Sequence, residues 1–486
     1  MQATREQQDI VAAISSGENL LVSALAGTGK TTTLRLIAEA YPDRKMLYLA
    51  YNKNMQLDAL KIFPDHVACK TIHALAYQKV GHQYQDKLSS KLQASDVAQF
   101  FGIQHLIQKK FFASSLMIAA SAIEMIRVFC YSIKEEISPE HYSRYHVAQL
   151  KNKYKKTSFN LERILSPKTF LERFVYQSMM YAQKLWEEMI CLDSRKIPIT
   201  HDVYLKLYQL FRPRISNVDC IMLDEAQDAN PVILHILEHQ DVQKIYVGDT
   251  HQQIYGYRGT TDAMESIDGK QLYLTQSFRF GQAIAEEANT VLQKLKSAKT
   301  IQGNPQINSQ IQLVDITKPY TFISRTNAGI FQEILALSKQ NRKVSFVGNI
   351  EQVLALFQSA YFLFKDEHSK IIDHGLKKFA DWKHFKSEAI QTLDQEYIAL
   401  VKFIETYYEK TPDALEKIKQ ACRFKKDEAD VIVTTAHKAK GRQWGQVCLN
   451  DDFKQNNWEE LNIFYVALTR AICVLDLSRI REEVRF

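Results

Sequence analysis

The chain has 486 residues, 46% of them hydrophobic and 24% charged, with a formal net charge of +7. Those values suit a globular protein of about three domains, and so mild a positive balance permits a polyanionic partner without requiring one. No apolar run approaches the roughly 20 residues of a membrane helix, the opening MQATREQQ is no signal peptide, and seven scattered cysteines without a CxxC pair argue against disulfide frameworks, zinc sites and iron–sulfur clusters.

Short apolar, β-branched or aromatic runs ending in polar or glycine-containing loops predict strands. In chain order they are NLLVSA (19–24), MLYLA (46–50), CIMLD (220–224), KIYVGD (244–249), QLYLT (271–275), YTFIS (320–324), VSFVG (344–348), DVIVTT (430–435) and VCLND (447–451). Helical patterns separate many of them, so the chain reads as α/β with parallel sheets buried on both faces. Residues 91–199 are almost wholly helical in pattern, and residues 350–425 are helical and charge-rich. The expected organisation is therefore two α/β cores, residues 1–90 with 200–265 and residues 266–349 with 426–486, each carrying one of these helical stretches as an insertion.

The strand NLLVSA leads into ALAGTGKT (24–31) and a helical TTLRLIAEAY, which fits a Walker A loop if Ala24 replaces its first glycine. Gly27 and Gly29 let backbone N–H groups converge on phosphate oxygens, Lys30 reaches the β- and γ-phosphates, and the Thr31 hydroxyl ligates magnesium. The candidate nucleotide-binding stretch is Ala26, Gly27, Thr28, Gly29, Lys30, Thr31 and Thr32. CIMLD runs into DEAQD (224–228), where Asp224 would hold magnesium through water and Glu225 would act as general base on the attacking water. Together the two loops predict a P-loop NTPase using ATP and Mg²⁺.

With these motifs and those that follow, the chain resembles the UvrD/Rep/PcrA-like helicases of superfamily one, and among them the helicase portion of the F-box DNA helicases. TREQ (4–7) looks like the Q motif, LAYNK (49–53) like motif Ia, and KTIHALAY (70–77) like the motif after it. THDVYLKLYQL (200–210) and DEAQDANP (224–231) are similar to the F-box subgroup. VGDTHQQIYGYRG (247–259), LTQSFRFG (274–281), TTAHKAKG (434–441) and FYVALTRA (464–471) resemble motifs III to VI. The resemblance implies two RecA-like P-loop cores and a role for each matching residue. Gln7 would read adenine with Phe278 near it, Gln252 would sense the γ-phosphate, and Arg279 and Arg470 would reach that phosphate from the second core. Tyr51, Asn52, His73, Tyr257, Arg258 and His437 would contact DNA, with Tyr257 stacking on a base. Independently, two arginines facing a Walker loop can stabilise transition-state charge as arginine fingers do. An aromatic bracketed by Gly256 and Gly259 suits an exposed stacking platform. The basic stretch KNKYKKTSFNLER (151–163) reads equally as DNA entry or as a solvated helical face.

The pattern departs from the family at four places: Leu25 in the Walker loop, Ala50-Tyr51 in motif Ia, RQW (442–444) where LEF is usual, and a second insertion of modest length. The expected function is an ATP-dependent single-stranded DNA translocase and 3′→5′ helicase in repair or recombination, working on single strands and tailed duplexes alongside recombination or repair proteins. Two alternatives stay open: a motor that strips proteins from single strands without robust unwinding, and a non-translocating nucleotide switch. Because no F-box precedes Thr4, no F-box-mediated ubiquitin-ligase partner is expected. The expected location is cytoplasmic, nucleoid-associated if prokaryotic, neither secreted nor in a membrane.

Overall fold

The computed structural model describes residues 3–89, 92–154, 158–254, 264, 267–373, 375–377, 379–391 and 394–480. Its strands, in chain order, are β1 (Leu20–Ala24), β2 (Met46–Ala50), β3 (Val67–Thr71), β4 (Leu106–Gln108), β5 (Phe111–Ala113), β6 (Cys220–Asp224), β7 (Gln243–Gly248), β8 (Lys270–Leu274), β9 (Gln310–Ile311), β10 (Tyr320–Ser324), β11 (Val344–Phe346), β12 (Val431–Thr435), β13 (Trp444–Leu449) and β14 (Ala471–Asp476). Two parallel sheets result, ordered β3-β2-β6-β7-β1-β8 and β11-β12-β10-β13-β14-β9. Every residue of β2, β6, β7, β10 and β12 is buried, as expected where helices cover both faces of a parallel sheet. The fold is α/β with two RecA-like cores.

One expected boundary moves. The strand after residue 265 was expected to open the second core, yet β8 pairs with β1 in the first sheet, Leu20↔Lys270 through Ala24↔Leu274. The reason is packing: Leu274, with Leu272 against it, belongs to the apolar cluster around β1, β2 and β7. β8 is therefore the edge strand of the first sheet, and the strands of the second sheet all follow it in the chain.

Between β3 and β6 the chain is mainly helical, including Ser115–Cys130 and Phe170–Ile190, interrupted by the antiparallel pair β4–β5 that periodicity did not reveal. These helices continue the core of the first sheet: Leu21, Leu49 and Leu223 share one apolar cluster with Ile126, Phe129, Phe174 and Leu207. Helices Ile350–Phe364, Gln395–Tyr407 and Thr411–Ala421 likewise share a core with Phe322, Val344, Val431 and Val433 of the second sheet. Among the described residues, no helix is long and apolar enough to cross a membrane.

Candidate functional site

β1 ends at Ala24, and the loop Leu25–Gly29 leads into helix Lys30–Ala40. Gly27 and Gly29 have φ of +74° and +78°, a left-handed conformation that glycine adopts without steric cost. Space also demands glycine at 27, because a Cβ there would lie 2.7 Å from Arg279 Cβ and 2.8 Å from Ser277 Oγ. The Phe278 N–H donates to Gly27 O at 2.7 Å, so the segment after β8 rests directly on the phosphate loop. The Thr28 hydroxyl is spent inside the loop, donating to Leu25 O at 2.8 Å, and Thr32 is exposed on the first helical turn. The buried partner is instead Thr33, whose hydroxyl bonds Gly29 O at 3.0 Å and accepts from Gln7 Nε2 at 3.1 Å. Thr4 and Gln7 cap each other across the start of helix Arg5–Ala13, which fixes Gln7 beside Gly29 and the Phe278 ring.

β6 delivers Asp224 to the same place. Its carboxylate accepts from the Thr31 hydroxyl at 3.0 Å, from Tyr48 OH at 2.8 Å and from the Glu225 N–H at 2.9 Å. Burial, with Glu225 adjacent, pushes the Asp224 carboxyl up. Glu225 has φ of +53°, an uncommon conformation for a residue with a side chain, and its carboxylate lies 3.0 Å from Lys30 Nζ. Burial pushes its pKa up, but the charges of Lys30 and Lys440 outweigh this and hold it well below the usual range. Burial disfavours the Lys30 ammonium, yet Glu225, Asp249 and Asp224 around it keep its proton more firmly bound than usual. These donors fit the expected ligands: two glycines with backbone free to approach phosphate, a lysine, and a Thr31–Asp224 oxygen pair hard enough for Mg²⁺.

The second core contributes two arginines. Arg470 is 1% exposed, and donates to Val466 O at 2.7 Å, to Thr469 Oγ1 at 3.0 Å and to Gln252 Oε1 at 3.3 Å. Burial, then the nearby Arg279, pushes its guanidinium pKa well down, against the opposing charges of Glu225 and Asp249. Arg279 donates to Thr469 O and to Gln443 Oε1, both at 2.9 Å, so the two arginines share Thr469. Gln252 is oriented by Asp249, to which its amide donates at 2.6 Å. The sequence reading missed the residues that join the cores. The Ala26 N–H donates to Tyr465 OH at 3.1 Å, and Asn462 Nδ2 to Gln253 O at 3.0 Å. Lys440 Nζ donates to Asp228 Oδ2 at 2.5 Å and to Gln252 O at 2.8 Å. Tyr465 and Lys440 lay inside FYVALTRA and TTAHKAKG; their polar ends in otherwise apolar or basic stretches were the available signal.

A cavity of about 370 Å³ joins Tyr51, Asn52 and His73 to Asp224 and Glu225, so the expected DNA residues of the first core open onto these two carboxylates. Within it, Asn52 is committed as the cap of helix Lys53–Ile62, its Oδ1 accepting from the Met55 N–H at 3.0 Å. His73 meets Tyr204 edge-on at 6.0 Å. His437 is half-buried, and burial together with Arg325 lowers its pKa to about 4, so it is uncharged at neutral pH. Tyr257 and Arg258, like residues 155–157 of the basic stretch, lie outside the described residues.

A P-loop, its acidic partner strand and two arginines from a facing parallel-sheet core make up a two-core P-loop architecture. The UvrD/REP helicase N-terminal domain profile matches residues 3–268, and the UvrD-like helicase C-terminal domain profile matches residues 430–472. F-box DNA helicase 1 of Gallus gallus is 31% identical over 520 aligned residues, covering 99% of this chain and 49% of that protein. F-box DNA helicase protein 1 of Schizosaccharomyces pombe is 30% identical over 522, covering 96% of this chain and 56% of that protein. The chain thus spans about half the length of these curated relatives. It belongs to the UvrD/REP helicase family.

Proposed function

We propose that this chain is a DNA-dependent ATPase that moves along single-stranded DNA in the 3′→5′ direction and separates tailed duplexes, in repair or recombination. The observation that carries this reading is the meeting of Lys30, Asp224 and Glu225 with Arg279 and Arg470 around one loop, bridged by the Arg470–Gln252 contact of 3.3 Å. The proposed first core runs to β8 and the second follows it, with residues 91–199 and 350–425 as their helical insertions.

In the proposed cycle, Mg²⁺ held by Thr31 and Asp224 would neutralise phosphate charge. Lys30, drawn from Glu225 toward the β- and γ-phosphate oxygens of ATP, frees that carboxylate to accept a proton from the attacking water. Arg279 and Arg470 stabilise the negative charge that develops on the transferred phosphoryl group. Release of that charge loosens the Gln252–Arg470 bridge, and the cores reopen along the strand.

Strand displacement with 3′-tailed and 5′-tailed duplexes plus ATP tests the reading. Displacement confined to the 3′-tailed duplex supports it; hydrolysis indifferent to DNA would replace it with a nucleotide switch. The modest length of the second helical insertion, residues 350–425, supports one variant of the reading, a motor that displaces bound proteins with weak unwinding. Translocation along a labelled single strand without duplex displacement would select that variant.

A further inference from the structure

A cleft of about 840 Å³ lies at the edge of the second sheet remote from the nucleotide loop. It is walled by the end of helix Asn327–Lys339, by helix Thr411–Ala421 and by the residues after each. Lys343 and Asp430 precede β11 and β12, whereas His437 and Lys440 follow β12. The five residues of β12 span about 17 Å, so cleft and catalytic loop sit at opposite ends of the strands.

Lys339, Lys343, Lys410, Lys417 and Arg423 line this cleft, all exposed, and none has a carboxylate within ion-pair distance among the described residues. The acids that face them are few. Asp413 stands in the wall, while Asp430 is engaged by Arg342 at 3.7 Å and by the Lys343 N–H at 2.9 Å. The fold does not require this concentration of charge, because the same helices pack through Leu335, Leu415 and Ile418 on their buried sides. The cations' mutual repulsion is reduced when a polyanion binds. Phe424, half-buried, lies between two of the cations, with Lys343 Nζ 5.7 Å and Arg423 Cζ 5.2 Å from its ring centroid, and Tyr407 lines the same wall. Cations spaced around aromatic rings match a phosphodiester backbone whose bases can stack. Tyr407 already meets the Phe403 ring at 4.6 Å, so Phe424 is the ring left for a base, whereas an acidic peptide would use the cations alone.

We propose that this cleft binds the backbone of a nucleic-acid strand, as a second contact separate from the path through the nucleotide cleft. The proposal rests on the DNA-motor reading only for the identity of the strand, a further segment of the DNA being worked on. The test compares wild type with K339E/K343E/R423E, using a fluorescein-labelled forked duplex and a short single strand long enough only for the motor path. Affinity for the fork should fall at least tenfold, and the slope of log affinity against log salt should flatten by about two for three lost single-strand contacts. ATPase stimulated by the saturating short strand should be unchanged. In parallel, wild-type protein irradiated with a bromodeoxyuridine-substituted fork should cross-link within the peptide carrying Phe424, a readout independent of how the variant folds. Unchanged affinity and slope, or no cross-link in that peptide, overturns the proposal. A polyglutamate peptide that protects the cleft while fork binding stays intact would also overturn it, in favour of an acidic protein partner. Failure of the motor reading is distinct: wild-type ATPase would then ignore DNA while the cleft still bound the fork.

Discussion

Lys30 and Glu225 lie 3.0 Å apart, so one side chain neutralises the other until phosphate competes for the lysine. That arrangement separates binding from turnover. Glu225→Gln keeps a group that can hydrogen-bond Lys30 but cannot take a proton from water. Hydrolysis should fall by about a hundredfold or more, the scale of a lost general base, with ATP affinity kept; equilibrium titration beside steady-state turnover measures both, and near-normal turnover refutes the role. Arg279→Ala and Arg470→Ala should each slow hydrolysis by about a thousandfold, as loss of an arginine finger does. A variant that turned over normally with DNA present would show its arginine to be structural. His437 supplies the pH dependence. Burial and Arg325 lower its folded pKa to about 4, below the roughly 6.5 of an unfolded histidine, so the fold favours the neutral ring. The stabilisation from that neutral ring is fully present above about pH 6.5 and is lost progressively as pH falls toward 4. Thermal melts between pH 7 and pH 4 should therefore show a smaller acid-induced loss of stability in His437→Gln than in wild type, and equal losses would refute the assignment.

Among the elements, the Walker loop owes its form to contacts from both cores. Gly27→Ala would place a methyl 2.7 Å from Arg279 Cβ at a φ of +74°. The loop and the segment carrying Phe278 and Arg279 would have to separate, so ATPase should be lost along with the Arg279→Ala defect. Crystal or solution structures of the variant should show Arg279 displaced, and normal hydrolysis would refute the fit. Much of this element was readable, because glycine, lysine and threonine chemistry at fixed spacing marks a phosphate loop without any knowledge of tertiary structure. The inter-core partners were not. Tyr465 reaches Ala26 from 439 positions away and Lys440 reaches Asp228 from 212, distances over which no local periodicity carries information. Strands showed the same division. β2, β6 and β10 are continuous apolar runs and were readable to the residue, while β3, interrupted by Lys70, and the two-residue β9 gave no such pattern. β8 was found as a strand but assigned to the wrong sheet, since hydrogen-bond register is decided by the partner.

At the scale of the whole molecule, the polar bridges between the cores among the described residues include Tyr465–Ala26, Arg470–Gln252, Lys440–Asp228, Lys440–Gln252 and Asn462–Gln253. If the cores close around ATP, these bridges couple that closure to the surfaces that carry motifs III and V. If single-stranded DNA spans those surfaces, it should bias the cores toward the closed, hydrolysing state. Turnover without nucleic acid should then be weak, and single-stranded DNA should raise it strongly. Rising salt should weaken the stimulation, because Lys and Arg contacts to phosphates are screened and counterion release loses its driving force. Tyr257, in the glycine-flanked segment between β7 and β8, should stack on a base, so Tyr257→Ala should cost about 1–3 kcal/mol of single-strand affinity. It should also shift the DNA concentration for half-maximal stimulation upward. Oligonucleotide-stimulated ATPase across a salt series, with fluorescence anisotropy for binding, measures each effect. A protein whose hydrolysis is the same with and without single strands at every salt concentration would have its cores closed by nucleotide alone, and the bridges between them would be the machinery of a switch.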